Sequence, residues 1–136
     1  LFAQLVLVRR IAHAPLLLLR LAVPLVLCAF ALLASSGESW TYFAAMVLMG
    51  LGMGMAGPGF VSAASLAVGP DEQGGVAGYT SACPALGFTI GPLTGTWLYG
   101  VVPTGPYWLG LALYAGLFVF LLCLRVRPAL EAGGRR

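Results

Sequence analysis

Charge is scarce in this chain. Only 8% of its 136 residues are Asp, Glu, Lys or Arg, against the roughly 25% that keeps a soluble domain's surface wet. Lysine is absent, and all seven basic residues are arginine. With 60% of the residues apolar and a mean hydropathy of +0.98, the chain cannot cover a water-facing surface. That excludes an ordinary soluble domain and leaves a membrane protein. Histidine occurs once, as His13, in a loop with no partner to orient it. Cys28, Cys83 and Cys123 each fall inside an apolar run without CxxC or metal-ligand spacing, and are read as small buried hydrophobes. Ser62, Ser65 and Ser81 have no base within a plausible motif, and no carboxylate interrupts an apolar run. The chain is therefore read as no enzyme, with no cofactor and no metal.

What is present is length without charge. No ionisable acid, base or histidine occurs between Ser39 and Pro70, nor between Gln73 and Leu124. Each run exceeds the roughly 20 apolar residues needed to span a bilayer. The second holds two spans, separated by a turn at Val102-Pro103-Thr104-Gly105-Pro106. The expected architecture is all-α: a polytopic transmembrane bundle of one helix remnant and four full spans. The remnant covers residues 1–8, the spans about 16–34, 41–68, 76–101 and 107–124, and a tail 125–136. Because the chain opens on Leu1 inside an apolar stretch, it is expected to be a fragment cut within a helix, forming a single membrane domain.

Alternating directions place Arg9, Arg10, Arg20, Arg125, Arg127, Arg135 and Arg136 on one side, while the opposite loops hold Glu38 and no basic residue. Positive residues gather on the cytoplasmic side, so the C-terminus is expected there, in the cell membrane. A net charge of +3 thus signals membrane asymmetry, and no nucleic acid is expected as a partner. Trp40, Thr41 and Tyr42, with Tyr107 and Trp108, are placed at the outer interface, where amphipathic rings anchor.

The spans differ in kind. The first contains no Gly, Ser or Thr, whereas the two middle spans carry five glycines each. Small residues serve close helix packing in lipid, so the first and fourth spans are expected to face lipid and the middle two to face protein or a cavity. On the third span Thr80, Cys83, Gly87, Gly91, Thr94 and Gly95 share one face. Gly87, Gly91 and Gly95 make overlapping GxxxG steps, and Pro84 and Pro92 are candidate bends.

On the second span Gly50, Gly54 and Gly57 share a face, and the Gly57-Pro58-Gly59 step is a candidate break. Met46, Met49 and Met53, with Phe60, form an adjacent stripe. It serves either ordinary packing or an adaptable wall for apolar ligands. Gly52, Gly54 and Gly57 also spell a literal GxGxxG, with Asp71-Glu72 about 20 residues on, as in a dinucleotide fold. That fold needs flanking strands and a glycine turn in water. Here the glycines lie mid-span with no Lys or Arg nearby, so the match is read as chance.

The run GLGMGMAGPGFVSAASLAVGPDEQGGVAGYTSACPALGFTIGPLTGTWLYG resembles the last helices of a major facilitator superfamily transporter, most like bacterial drug:proton antiporters. The pattern is a glycine-rich helix, a loop with Pro, acids and Gly, here Pro70 with Asp71, Glu72, Gln73 and Gly74, and a helix with GxxxGPxxG, here Gly87, Gly91, Pro92 and Gly95. Gln73 stands where the family often has an Arg. The resemblance implies the end of helix 8 and helices 9 to 12 of a twelve-helix secondary transporter, with the second span lining the cavity and the third packing between two halves. It implies as partners the lipid bilayer, an N-terminal half and a small amphipathic substrate. Efflux by alternating access is the expected activity, with coupling supplied elsewhere because these spans hold no acid. Uptake of a sugar or metabolite, or a small membrane subunit acting through helix packing, are the alternatives.

Overall fold

The computed structural model describes residues 15–35 and 38–123. The expected remnant 1–8, the loop with Arg9, Arg10 and His13, and the tail with its four arginines lie outside the described residues. The described residues form four α-helices, α1 Pro15–Ser35, α2 Ser39–Leu66, α3 Gln73–Val101 and α4 Gly105–Cys123, with a 3-10 turn Pro70–Glu72 before α3. Among the described residues there is no strand.

Helix ends follow from the local chemistry. Pro15, the first described residue of α1, has a fixed φ that suits a helix. At the end of α3 the Val102 N–H still reaches the Leu98 carbonyl (2.9 Å) while Val102 itself turns extended. Gly105 N–H then donates to the Val102 carbonyl at 2.8 Å and starts α4. The internal prolines Pro24, Pro58, Pro84 and Pro92 do not end their helices. Each lacks an N–H but has a φ that suits a helix. In particular α2 runs through Gly57-Pro58-Gly59 without interruption, and no described residue has a positive φ. The break expected there is absent.

The core lies between α1 and α2. On α1, Leu18, Ala22, Val26, Ala29 and Leu33 are buried at steps of three and four, the spacing of one helix face. Opposite them Ala45, Gly52 and Gly59 are buried seven residues apart on α2, with Met55. Leu18, Ala22 and Met55 form the central cluster, flanked by Leu25 and Ala56. The glycines are what let the backbones approach. A Cβ on Gly52 would lie 2.5 Å from Val26 Cγ2 and 3.0 Å from the Ala22 carbonyl oxygen. One on Gly59 would lie 3.1 Å from Leu18 Cβ. Helix α4 also packs on α1, where the Phe30 ring sits directly over Gly110.

One expectation about facing is corrected: helix α1, assigned to lipid, supplies six buried residues. Helix α3 supplies none among the described residues. A helix without glycine still packs when its partner has it, and Ala22 and Ala29 keep the facing side of α1 low. Helices α1, α2 and α4 are long and apolar enough to cross a membrane. Helix α3 has 29 residues, about 43 Å at 1.5 Å per residue, but its Gly, Thr, Ser and Pro content keeps it below that apolarity.

Candidate transport surface

Helix α3 presents the expected strip in an open state. Among the described residues, no atom beyond the backbone of α3 itself lies within 4 Å of a Cβ built on Gly87, Gly91 or Gly95, and Pro92 beside them is exposed. The larger side chains around the strip are bare as well: Phe88 is 82% and Trp97 72% exposed. The hydroxyls are nonetheless satisfied. Thr80 Oγ1 donates to the Val76 carbonyl (2.9 Å), Thr89 Oγ1 to Ala85 (3.0 Å), Thr94 Oγ1 to Ile90 (3.0 Å) and Thr96 Oγ1 to Pro92 (2.7 Å). Ser81 Oγ does the same to Ala77 at 2.9 Å. A hydroxyl that donates one turn back costs little in hydrocarbon and stays uncommitted to a neighbouring helix. The strip is therefore small, self-satisfied and smooth.

On α2 the glycines divide. Gly50 and Gly57 face open space, and Gly54 is half-buried. Gly52 and Gly59 are the ones against α1. Sequence reasoning missed this pairing, although Ala45, Gly52 and Gly59 repeat at seven residues and that period was there to be read. Of the methionine stripe, Met46, Met53 and Phe60 are exposed and Met49 is half-buried. Met53 turns towards α4, where the Tyr114 hydroxyl donates to its sulfur at 3.6 Å. The Tyr114 ring in turn lies 5.6 Å from the Phe30 ring, tilted by 37°. Tyr114 thus ties α4 to both α1 and α2. A signal for it existed, because a phenol deep in an apolar run requires a partner.

Tyr114→Phe should therefore cost under about 1 kcal/mol, as only a weak O–H···S bond is lost. Tyr114→Ala should cost about 2 kcal/mol, roughly half the penalty for truncating a fully buried aromatic. Thermal unfolding in detergent distinguishes the two, and equal effects would remove the ring contact from the account.

At the loop end, Asp71, Glu72, Gln73 and Gly74 are exposed. Gln73 makes two hydrogen bonds to Ser65 of α2, one from its amide nitrogen and one to its amide oxygen. A cleft of about 300 Å³ opens beside this pair between α2 and α3, lined by Val61, Ser65, Gln73, Val76, Ala77, Thr80 and Ser81. Among the described residues, no three of His, Cys, Asp and Glu gather to hold a metal, and Cys28, Cys83 and Cys123 are free and exposed. The described surface is apolar and hydroxyl-bearing, suited to recognition by shape and dispersion.

Neither the curated proteins nor the solved structures contain a match to this chain. A family model does match: the one described as Major Facilitator Superfamily covers residues 6–136. Together with the multi-helix, apolar architecture, that match over nearly the whole length places the chain in the Major Facilitator Superfamily, a superfamily of membrane transporters.

Proposed function

We propose that this chain is the C-terminal portion of a secondary active exporter of small amphipathic molecules, corresponding to the end of helix 8 and helices 9 to 12. In this reading two halves rock about a midplane site. The exposed part of the α2 stripe, Met46 and Phe60 with Met49, forms one wall of the cavity, and polarizable methionine accepts varied apolar shapes. The α3 strip slides against the other half. The observation that carries the reading is the open face at Gly87, Gly91 and Gly95. It is built for close helix contact, and nothing among the described residues covers it. The arginine asymmetry supports a cytoplasmic C-terminus in the cell membrane.

The described spans contain no acid, so proton coupling either rests on a group outside them or is absent. Cells expressing the complete protein should accumulate less of a lipophilic cationic dye than control cells. Collapsing the proton gradient should restore accumulation. Unchanged accumulation under both conditions would sink the exporter reading, and net uptake of a sugar would replace it.

A further inference from the structure

The end of a helix leaves four carbonyls that no helical N–H reaches. At the end of α2 the Ala64 carbonyl accepts from the Ala67 N–H at 3.2 Å. The Ser65 carbonyl finds a partner eight residues on, where Gln73 Nε2 donates to it at 3.0 Å. Ser65 Oγ donates in return to Gln73 Oε1 at 2.9 Å. One amide side chain thereby caps α2 from the first residue of α3 and closes a ring of two bonds between the helices. The intervening segment is short and already ordered by the Pro70–Glu72 turn, with the Glu72 N–H on the Gly69 carbonyl at 3.1 Å. Little loop entropy therefore opposes closure. Beyond this point α3 contributes no buried residue and its glycine strip is open.

We propose that Ser65 and Gln73 form a neutral clasp, a positioning pair that makes the loop ends of α2 and α3 move as one unit while the rest of α3 shifts. Both partners are uncharged, so the clasp holds equally across the physiological pH range and at high salt. The ionisable groups closest in sequence are Asp71 and Glu72 on the turn and Tyr79 on α3. All three are exposed, none lines the cleft, and none bonds to the pair. The clasp rests on the transporter reading only for its use, because its existence is a matter of distances.

The test is a distance measurement by pulsed electron paramagnetic resonance on the complete protein in lipid nanodiscs. Spin labels go on Leu66→Cys and Tyr79→Cys, both exposed positions, with Cys28, Cys83 and Cys123 replaced by alanine. The parent should give one narrow distribution that does not change between about pH 5.5 and 8.5, a window that excludes the ordinary amide and hydroxyl ionisations. Gln73→Ala should broaden it most, since losing two neutral hydrogen bonds shifts the clasped-to-open ratio roughly tenfold, and Ser65→Ala should broaden it less, because the backbone carbonyl still accepts from Gln73. The double variant should be no broader than Gln73→Ala, which has already lost both bonds.

Gln73→Glu supplies the sign. Its carboxylate cannot donate to the Ser65 carbonyl, whereas its protonated form can. The distribution should therefore be broad at neutral pH and narrow as pH falls through the carboxylate range. A distribution unchanged in both alanine variants, additive broadening in the double variant, or a parent that moves with pH would each overturn the clasp. None of these outcomes touches the dye-efflux result, so the two readings fail separately.

Discussion

Gly52→Leu should push α1 off α2 and lower the stability of the complete protein by about 1–3 kcal/mol, the usual cost of forcing volume into a packed core. The geometry leaves little room for relief. Even the first added carbon meets Val26 Cγ2 at 2.5 Å and the Ala22 carbonyl at 3.0 Å. The valine side chain can turn aside, but the carbonyl belongs to the backbone of α1. The remaining carbons of leucine would have to enter the cluster of Leu18, Ala22 and Met55. Gly50→Leu, two residues away, meets no atom within 4 Å at its Cβ and should stay within about 0.5 kcal/mol of the parent, as surface changes do. Thermal unfolding of the two variants in detergent checks the pair. Equal stabilities would mean that α1 and α2 do not meet at Gly52.

Gly91→Leu should behave in the opposite way. Nothing within the described residues opposes a side chain there. Leucine also favours a helix over glycine by roughly 0.8 kcal/mol. The packing of α1, α2 and α4 should therefore be unharmed, and stability should hold or rise slightly. Transport should fall by at least about tenfold, because a misfit of 1.4 kcal/mol at the sliding surface is already a factor of ten. Gly91→Ala, with a single carbon, should retain more activity than Gly91→Leu. Measured side by side, transport rate and unfolding temperature separate a surface that meets another half from one that meets only lipid. Normal transport by Gly91→Leu would refute the role given to the strip.

The contrast between these two glycines measures how far a linear reading reaches. Counting small residues marked α2 and α3 for close approach, because lipid makes no demand for glycine, and on α2 that approach is present at Gly52 and Gly59. The count could not name partners. Gly50, Gly54 and Gly57 share a face as convincingly as Ala45, Gly52 and Gly59 do, and α1 lies on the second set. Similarly, Gln73 reads in sequence as a missing charge. In the structure it is a hydrogen-bonding cap, because Ser65 offers both a hydroxyl and an unpaired carbonyl within reach. Met53 carries the same lesson, its stripe visible in the sequence and its Tyr114 partner not.

The places and approximate lengths of the four described helices were legible from order alone, since hydropathy is a property of single residues summed over a window. Which face of each helix meets which neighbour depends on crossing geometry and on steric fit between residues distant in sequence. Gly52 against Val26 and Tyr114 against Phe30 and Met53 belong to that second kind. A bilayer rewards any apolar surface alike, so it writes spans into the chain and leaves their contacts to packing.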